Sequence, residues 1–149
     1  MKYTIYIDGG SRGNGTDSQE AYGSSKTYVI HDFAMGHGAR FPRAHGKQRH
    51  YHFGNFTNNE AEYLVLLEVL QNLLAATETG FLKKDDLVVI KSDSALVVNQ
   101  VNHHWKVKND GLRLLYHRVQ SYCASIYNAG IIVSIEKANR DKIVSILGH

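Results

Sequence analysis

The 149-residue chain has one cysteine, one proline and no long apolar run, and each scarcity excludes something. A lone Cys123 cannot build an internal disulfide framework, so a reducing compartment fits and a cytoplasmic location is expected. Its place in a helical pattern reads as a small buried hydrophobe rather than a nucleophile. With Pro42 alone, no repeat and no Pro/Ser-rich linker, nothing divides the sequence, and one domain over residues 1–149 is expected. No apolar stretch approaches the roughly 20 residues of a membrane-crossing helix. The first residues also lack the charged and apolar regions of a signal peptide. A monomer without a membrane partner is therefore expected.

Charge is short of a strong sign. Seventeen basic residues against 14 acidic ones give a formal net charge of +3, weak support for a polyanionic partner. Distribution says more. Arg40, Arg43, Lys47 and Arg49 fall between residues 40 and 52 without an acid, and Lys106 and Lys108 follow Trp105. A solvated face is the plain reading of each cluster.

Hydrophobic periodicity orders the chain as β-β-β-α-β-α-α-β-α, a mixed sheet with helices on its faces. Strands are expected over about 2–8, 22–32 and 50–56. Gly9 to Gln19 reads as a turn, and residues 34–47, with Gly36, Gly38, Gly46 and Pro42, as a loop. Asn58 or Asn59 is the expected cap of a helix whose Tyr63, Leu66, Leu67, Leu70, Leu73 and Leu74 recur at helical spacing, with Gly80 as its stop. Leu87 to Ser92 reads as a strand buried on both faces. Helices over 94–101 and 112–127, a strand over 131–136 and a terminal helix over 139–147 complete the order.

Against this frame three acids stand out. Asp8 closes the run Tyr3-Thr4-Ile5-Tyr6-Ile7, Glu62 lies near the start of the first long helix, and Asp93 follows the apolar fourth strand. Strand ends and a helix start converging on one place would gather negative charge that only cations neutralise. Each acid also has a bland reading: Asp8 as a turn residue, Asp93 as a helix cap, Glu62 as a partner of the helix dipole. Asp141, in the terminal helix, is the candidate fourth acid, with Asn139 as an amide substitute. A solvated Asp is its plain alternative.

The motifs Asp8-Gly9-Gly10-Ser11-Arg12-Gly13-Asn14, Thr57-Asn58-Asn59-Glu60-Ala61-Glu62-Tyr63 and Asp93-Ser94, in that order, resemble the ribonuclease H type 1 family. So do Trp105-Lys106-Val107-Lys108-Asn109 and Arg140-Asp141-Lys142-Ile143-Val144. The resemblance covers nearly the whole chain and implies an α/β, ribonuclease H-like fold: a five-stranded mixed sheet, three antiparallel strands and then two parallel, flanked by helices. It implies an endonuclease that hydrolyses the RNA strand of RNA–DNA hybrids, leaving 5′-phosphate and 3′-hydroxyl ends, with two Mg²⁺ (or Mn²⁺) ions per site. Asp8 would bridge both ions, Glu62 and Asp93 would serve the leaving-group ion, and Asp141 the nucleophile side.

Departures from the family pattern are Gly15 where many relatives carry proline, and a long basic segment between the second and third strands. A Trp/Lys-rich protrusion is absent or reduced, the loop Asn128-Ala129-Gly130 before the last strand holds no histidine, and an N-terminal hybrid-binding domain is expected to be lacking. Asn14 and Asn58 suit 2′-OH and base-edge recognition, Thr57 and Asn59 phosphate contact, and Gln100 a weaker RNA contact. Turn, cap and local hydrogen-bonding roles compete for the first four, and a plain surface position for Gln100. Trp105, Lys106 and Lys108 suit the DNA strand, with Trp105 as a partly buried anchor of that helical corner the competing reading. His149 is a candidate auxiliary to proton transfer or product release, against a disordered or merely packed terminus. The His50/His52 pair is expected at the surface rather than on a metal. Two other classes stay open: a non-catalytic hybrid-binding module, and another nuclease of the same superfamily.

Overall fold

The structure, a computed structural model, describes residues 1–12, 19–30, 43–44 and 48–148, with the backbone alone at 26–30 and 43–44. The elements are β1 (Lys2–Arg12), β2 (Glu20–Ile30), β3 (Arg43–Ala44), β4 (Arg49–Gly54), α1 (Asn58–Glu78), β5 (Leu87–Ser92), α2 (Ala95–Val101), α3 (Asp110–Asn128), β6 (Ile132–Lys137) and α4 (Arg140–Leu147). β1 is central, antiparallel to β2 and parallel to β5, and β6 extends the parallel side. β4 lies antiparallel along the outer edge of β2. This is the expected five-stranded mixed sheet. β3 is a two-residue addition that pairs with Tyr28 and Val29, inside the segment expected to be loop throughout.

The order follows from where apolar side chains go. Along β1, Tyr3, Ile5 and Ile7 join the core cluster with α1 and α3, so Thr4, Tyr6 and Asp8 point to the opposite face. On that face α4 packs against β1 and β2, with Ile143 and Leu147 buried. β5 is buried on both faces, as its unbroken Leu-Val-Val-Ile run requires. α1 is apolar nearly all round because it lies between the sheet and α3. Truncating a core residue such as Leu66 to alanine would cost about 2–5 kcal/mol.

Helix starts correct one expectation and remove one bland reading. Thr57, not Asn58 or Asn59, caps α1: its hydroxyl accepts from the Glu60 amide (3.2 Å), and the Glu60 carboxylate accepts from the Thr57 amide (2.9 Å). That reciprocal box satisfies two amides at once, more than a lone asparagine can. It also makes Glu60 the first-turn acid and leaves Glu62 to point elsewhere. Ser94, not Asp93, caps α2 by accepting from the Val97 amide. Gly80, at φ +81°, follows the C-cap of α1 as expected.

Candidate active site

The β1–β5 ladder ends at the pair Ile7–Ser92. The next residue in the chain after each member of that pair is an acid, Asp8 still within β1 and Asp93 just past the end of β5. There the strands diverge: β5 turns into α2, while β1 runs on beside β2 as far as Arg12. Gly9 to Arg12 are therefore strand, not the expected turn. The glycine at position 9 has a different purpose. A Cβ on Gly9 would sit 2.7 Å from the Ala61 carbonyl oxygen and 2.9 Å from the Glu62 amide nitrogen. Only a bare backbone lets the second turn of α1 press against β1 there, and that contact carries Glu62 to the carboxylates.

Three acids from three elements consequently share one electrostatic site. Asp8 is 6% exposed and Asp93 is partly buried. One nitrogen of Arg140, Nη1, donates to Asp8 Oδ1 (3.1 Å), Asp8 Oδ2 (3.2 Å) and Asp93 Oδ2 (2.8 Å). The Glu62 carboxylate accepts a short hydrogen bond from the Ser94 hydroxyl. Burial first, and then the charges of Asp93 and Asp8, push the Glu62 carboxyl up to about 7, against the opposing pull of Ser94 and Arg140. The Arg140 guanidinium is held protonated more firmly than usual, chiefly by its hydrogen bond to Asp93. The bland roles for Asp8 and Asp93, turn and cap, are taken by no turn at Asp8 and by Ser94.

Arg140 escaped the sequence reading. The available signal was charge balance: a buried anionic cluster needs a cation, and Arg140 adjoins the candidate fourth acid. Asp141 itself lies exposed on the first turn of α4 and is not among the charges acting on Glu62. Asn139 is the cap of α4, its side-chain oxygen accepting from the Lys142 amide (2.8 Å). Among the described residues no group of three or more His, Cys, Asp and Glu side chains is arranged to enclose a metal ion. The donor set nonetheless suits one. Asp8, Glu62 and Asp93 offer hard carboxylate oxygens, and Asp8 and Asp93 already converge on a positive charge, for which Arg140 is the stand-in.

The remaining candidates divide. Asn58 and Asn59 are exposed at the start of α1, and the Asn58 side-chain oxygen accepts from the Ser11 amide (2.8 Å), tying α1 to β1. Thr57 is occupied by its capping box. Gln100 is a correction. It is 4% exposed, accepts from the Tyr63 hydroxyl (2.6 Å) and donates to the Lys106 carbonyl, so both ends of its amide are used inside the protein. A buried polar pair of this kind is satisfied internally and offers nothing to an RNA strand. Trp105, half exposed, and Lys106 line a groove of about 540 Å³ with His103, His104, Arg113 and His117; Lys108 is exposed nearby in sequence. His103 takes a left-handed backbone (φ +67°) and its ring nitrogen bonds the Tyr116 hydroxyl at 2.9 Å. His50 and His52 project to solvent from one side of β4. Cys123 is a free, partly buried thiol whose pKa burial raises. Asn14, His149 and the Pro42 loop lie outside the described residues.

This architecture has close counterparts. The N-terminal RNase H domain of Rv2228c from Mycobacterium tuberculosis superposes with a TM-score of 0.69 at 26% identity, over 97% of this chain and 86% of that one. In sequence, the bifunctional protein Rv2228c is 36% identical over 123 residues, 81% of this chain. The chain has the fold of the RNase H type 1 proteins. RNase H1 of the halophilic archaeon Halobacterium salinarum shares the fold with a TM-score of 0.70 at 24% identity, over 96% and 89% of the two chains. LC11-RNase H1, solved in complex with an RNA/DNA hybrid, shares it with a TM-score of 0.69 at 22% identity, again over 96% and 89%. An uncharacterized protein of Mycobacterium bovis matches as Rv2228c does. The chain spans 28% of the length of these curated relatives. No protein-family model matches the sequence. Among the described residues no helix is long and apolar enough to cross a membrane.

Proposed function

We propose that this protein is a ribonuclease H that hydrolyses the RNA strand of RNA–DNA hybrids, using two Mg²⁺ or Mn²⁺ ions and leaving 5′-phosphate and 3′-hydroxyl ends. One observation carries the reading: the first residues beyond the β1–β5 ladder are both carboxylates, and they share a single cation. Asp8, Glu62 and Asp93 would hold the ions, with Asp141 completing the set from the first turn of α4. Divalent ions at such a site supply activation of water and stabilisation of the departing 3′ oxygen.

The chain's own residues do the rest. Burial of Asp8 and the Gly9 contact with α1 fix the carboxylates before substrate arrives, so little reorganisation remains for the reaction. Ser94 orients Glu62 by its hydroxyl. Asn58 and Asn59, at the exposed start of α1, are suited to the 2′-OH groups that distinguish RNA from DNA. Trp105, Lys106 and Lys108 are suited to the other strand, an aromatic face and two cations.

The test is a matched set of labelled RNA–DNA hybrid, double-stranded RNA, double-stranded DNA and single-stranded RNA, incubated with Mg²⁺. Cleavage of the hybrid alone, with 5′-phosphate ends, is expected. Cleavage of duplex DNA instead would move the protein to another nuclease class. A second reading, a module that grips hybrids without cutting them, draws on the exposed Asp141. Tight hybrid binding with no cleavage in either Mg²⁺ or Mn²⁺ would select it.

A further inference from the structure

Arg140 has no part in the chemistry proposed above, yet it occupies the middle of the site. Its backbone is anchored: Asn139 caps the helix it begins, and Ile143, one turn on, is fully buried. Its side chain is 57% exposed. The contact it makes is unusual in one respect. Nη1 carries two hydrogens but faces three carboxylate oxygens within 3.2 Å, from Asp8 on β1 and from Asp93 just past the end of β5. Two hydrogens cannot serve three acceptors with full alignment, so charge rather than directional bonding holds the group there.

We propose that Arg140 is the resident counter-ion of the metal-free site, competing with the divalent cation for the same oxygens of Asp8 and Asp93. Loading the site then requires the guanidinium to leave, and its long exposed side chain lets it swing out without moving α4. Outside the site it remains beside the carboxylates, where a phosphate of the substrate is its natural next partner. This rests on the reading of Asp8 and Asp93 as metal ligands. It differs from a permanent ion pair, which would stay closed whether or not a metal is present.

The experiment is a titration of the metal-free protein with Mn²⁺ alone, followed by loss of the free-ion electron paramagnetic resonance signal. It compares wild type, Arg140→Gln, Arg140→Lys and Asp8→Asn. A site open about one-tenth of the time binds about tenfold more weakly than an open one. Arg140→Gln should therefore bind Mn²⁺ about tenfold more tightly than wild type. Arg140→Lys, which keeps the charge, should stay near wild type, and Asp8→Asn should lose the site. Independently of any variant's folding, the Arg140 Nε resonance of ¹⁵N-labelled wild type should shift on adding Mg²⁺. Equal or weaker Mn²⁺ binding by Arg140→Gln, or an unmoved Nε resonance, would overturn the competition while leaving the metal site standing. Mn²⁺ binding that ignores the Asp8 substitution, or none in wild type, would overturn both.

Discussion

The two polar regions of the molecule are built in opposite ways. At the carboxylate site each side chain is held by another: Asp8 and Asp93 by Arg140, Glu62 by Ser94, and the approach of α1 by the bare backbone of Gly9. In the groove between residues 103–107 and α3 the chief residues are exposed, Trp105 by half and Lys106 and His104 openly. The first arrangement suits chemistry, which needs atoms fixed to fractions of an ångström. The second suits adherence to a variable polymer surface, where loose contacts over a wide area suffice.

Substitutions should separate these two modes. Asp8→Asn is expected to have the largest effect, lowering the cleavage rate by about a thousandfold or more. Hybrid affinity in a gel-shift titration should change little and the circular dichroism spectrum should be kept; normal turnover in that variant would remove the carboxylates from the reaction. Gly9→Ala comes next. It must push α1 off β1 and should cost about 1–3 kcal/mol of stability by urea denaturation. Turnover should fall by about ten- to a hundredfold because Glu62 moves with the helix. Trp105→Ala combined with Lys106→Ala should raise KM by about tenfold and leave kcat nearly unchanged, and a loss confined to kcat would erase the contrast between the regions.

The smallest effect is on pH dependence. Glu62 has its carboxyl raised from an ordinary value near 4.5 to about 7, mainly by burial. Between those values the folded state holds a proton that the unfolded state has released. Stability of the metal-free protein should thus be highest below about pH 4.5 in this respect and fall as pH rises to about 7. Allowing for partial solvent access, the change is about 1–2 kcal/mol. Glu62→Gln should flatten that slope in thermal melts, and an unchanged slope would mean Glu62 titrates normally.

Asp8 and Asp93 were legible because each ends an alternating or apolar run, where a charged residue has no local reason to be. Glu62 was legible by its motif. What sequence could not rank was which of two neighbouring polar residues caps a helix, since Thr57 against Asn58, and Ser94 against Asp93, differ only in geometry realised after folding. Gly9 was misread as turn-forming, although a glycine inside a strand also signals a close backbone approach. Gln100 was misplaced because its partner Tyr63 is 37 residues away and on another helix, a pairing no local pattern reveals. Arg140 reaches Asp8 across 132 residues, longer still.

The gap between β1 and β5 has a consequence for how this protein can change over time. Its two lips are adjacent strands, about 4.8 Å apart wherever the main chain pairs. That spacing belongs to amide hydrogen bonding and is indifferent to which apolar side chains fill the interior. Core residues can therefore be exchanged without moving the two lips, provided the ladder is kept. The two acids will still stand shoulder to shoulder so long as the ladder stops after the same rung.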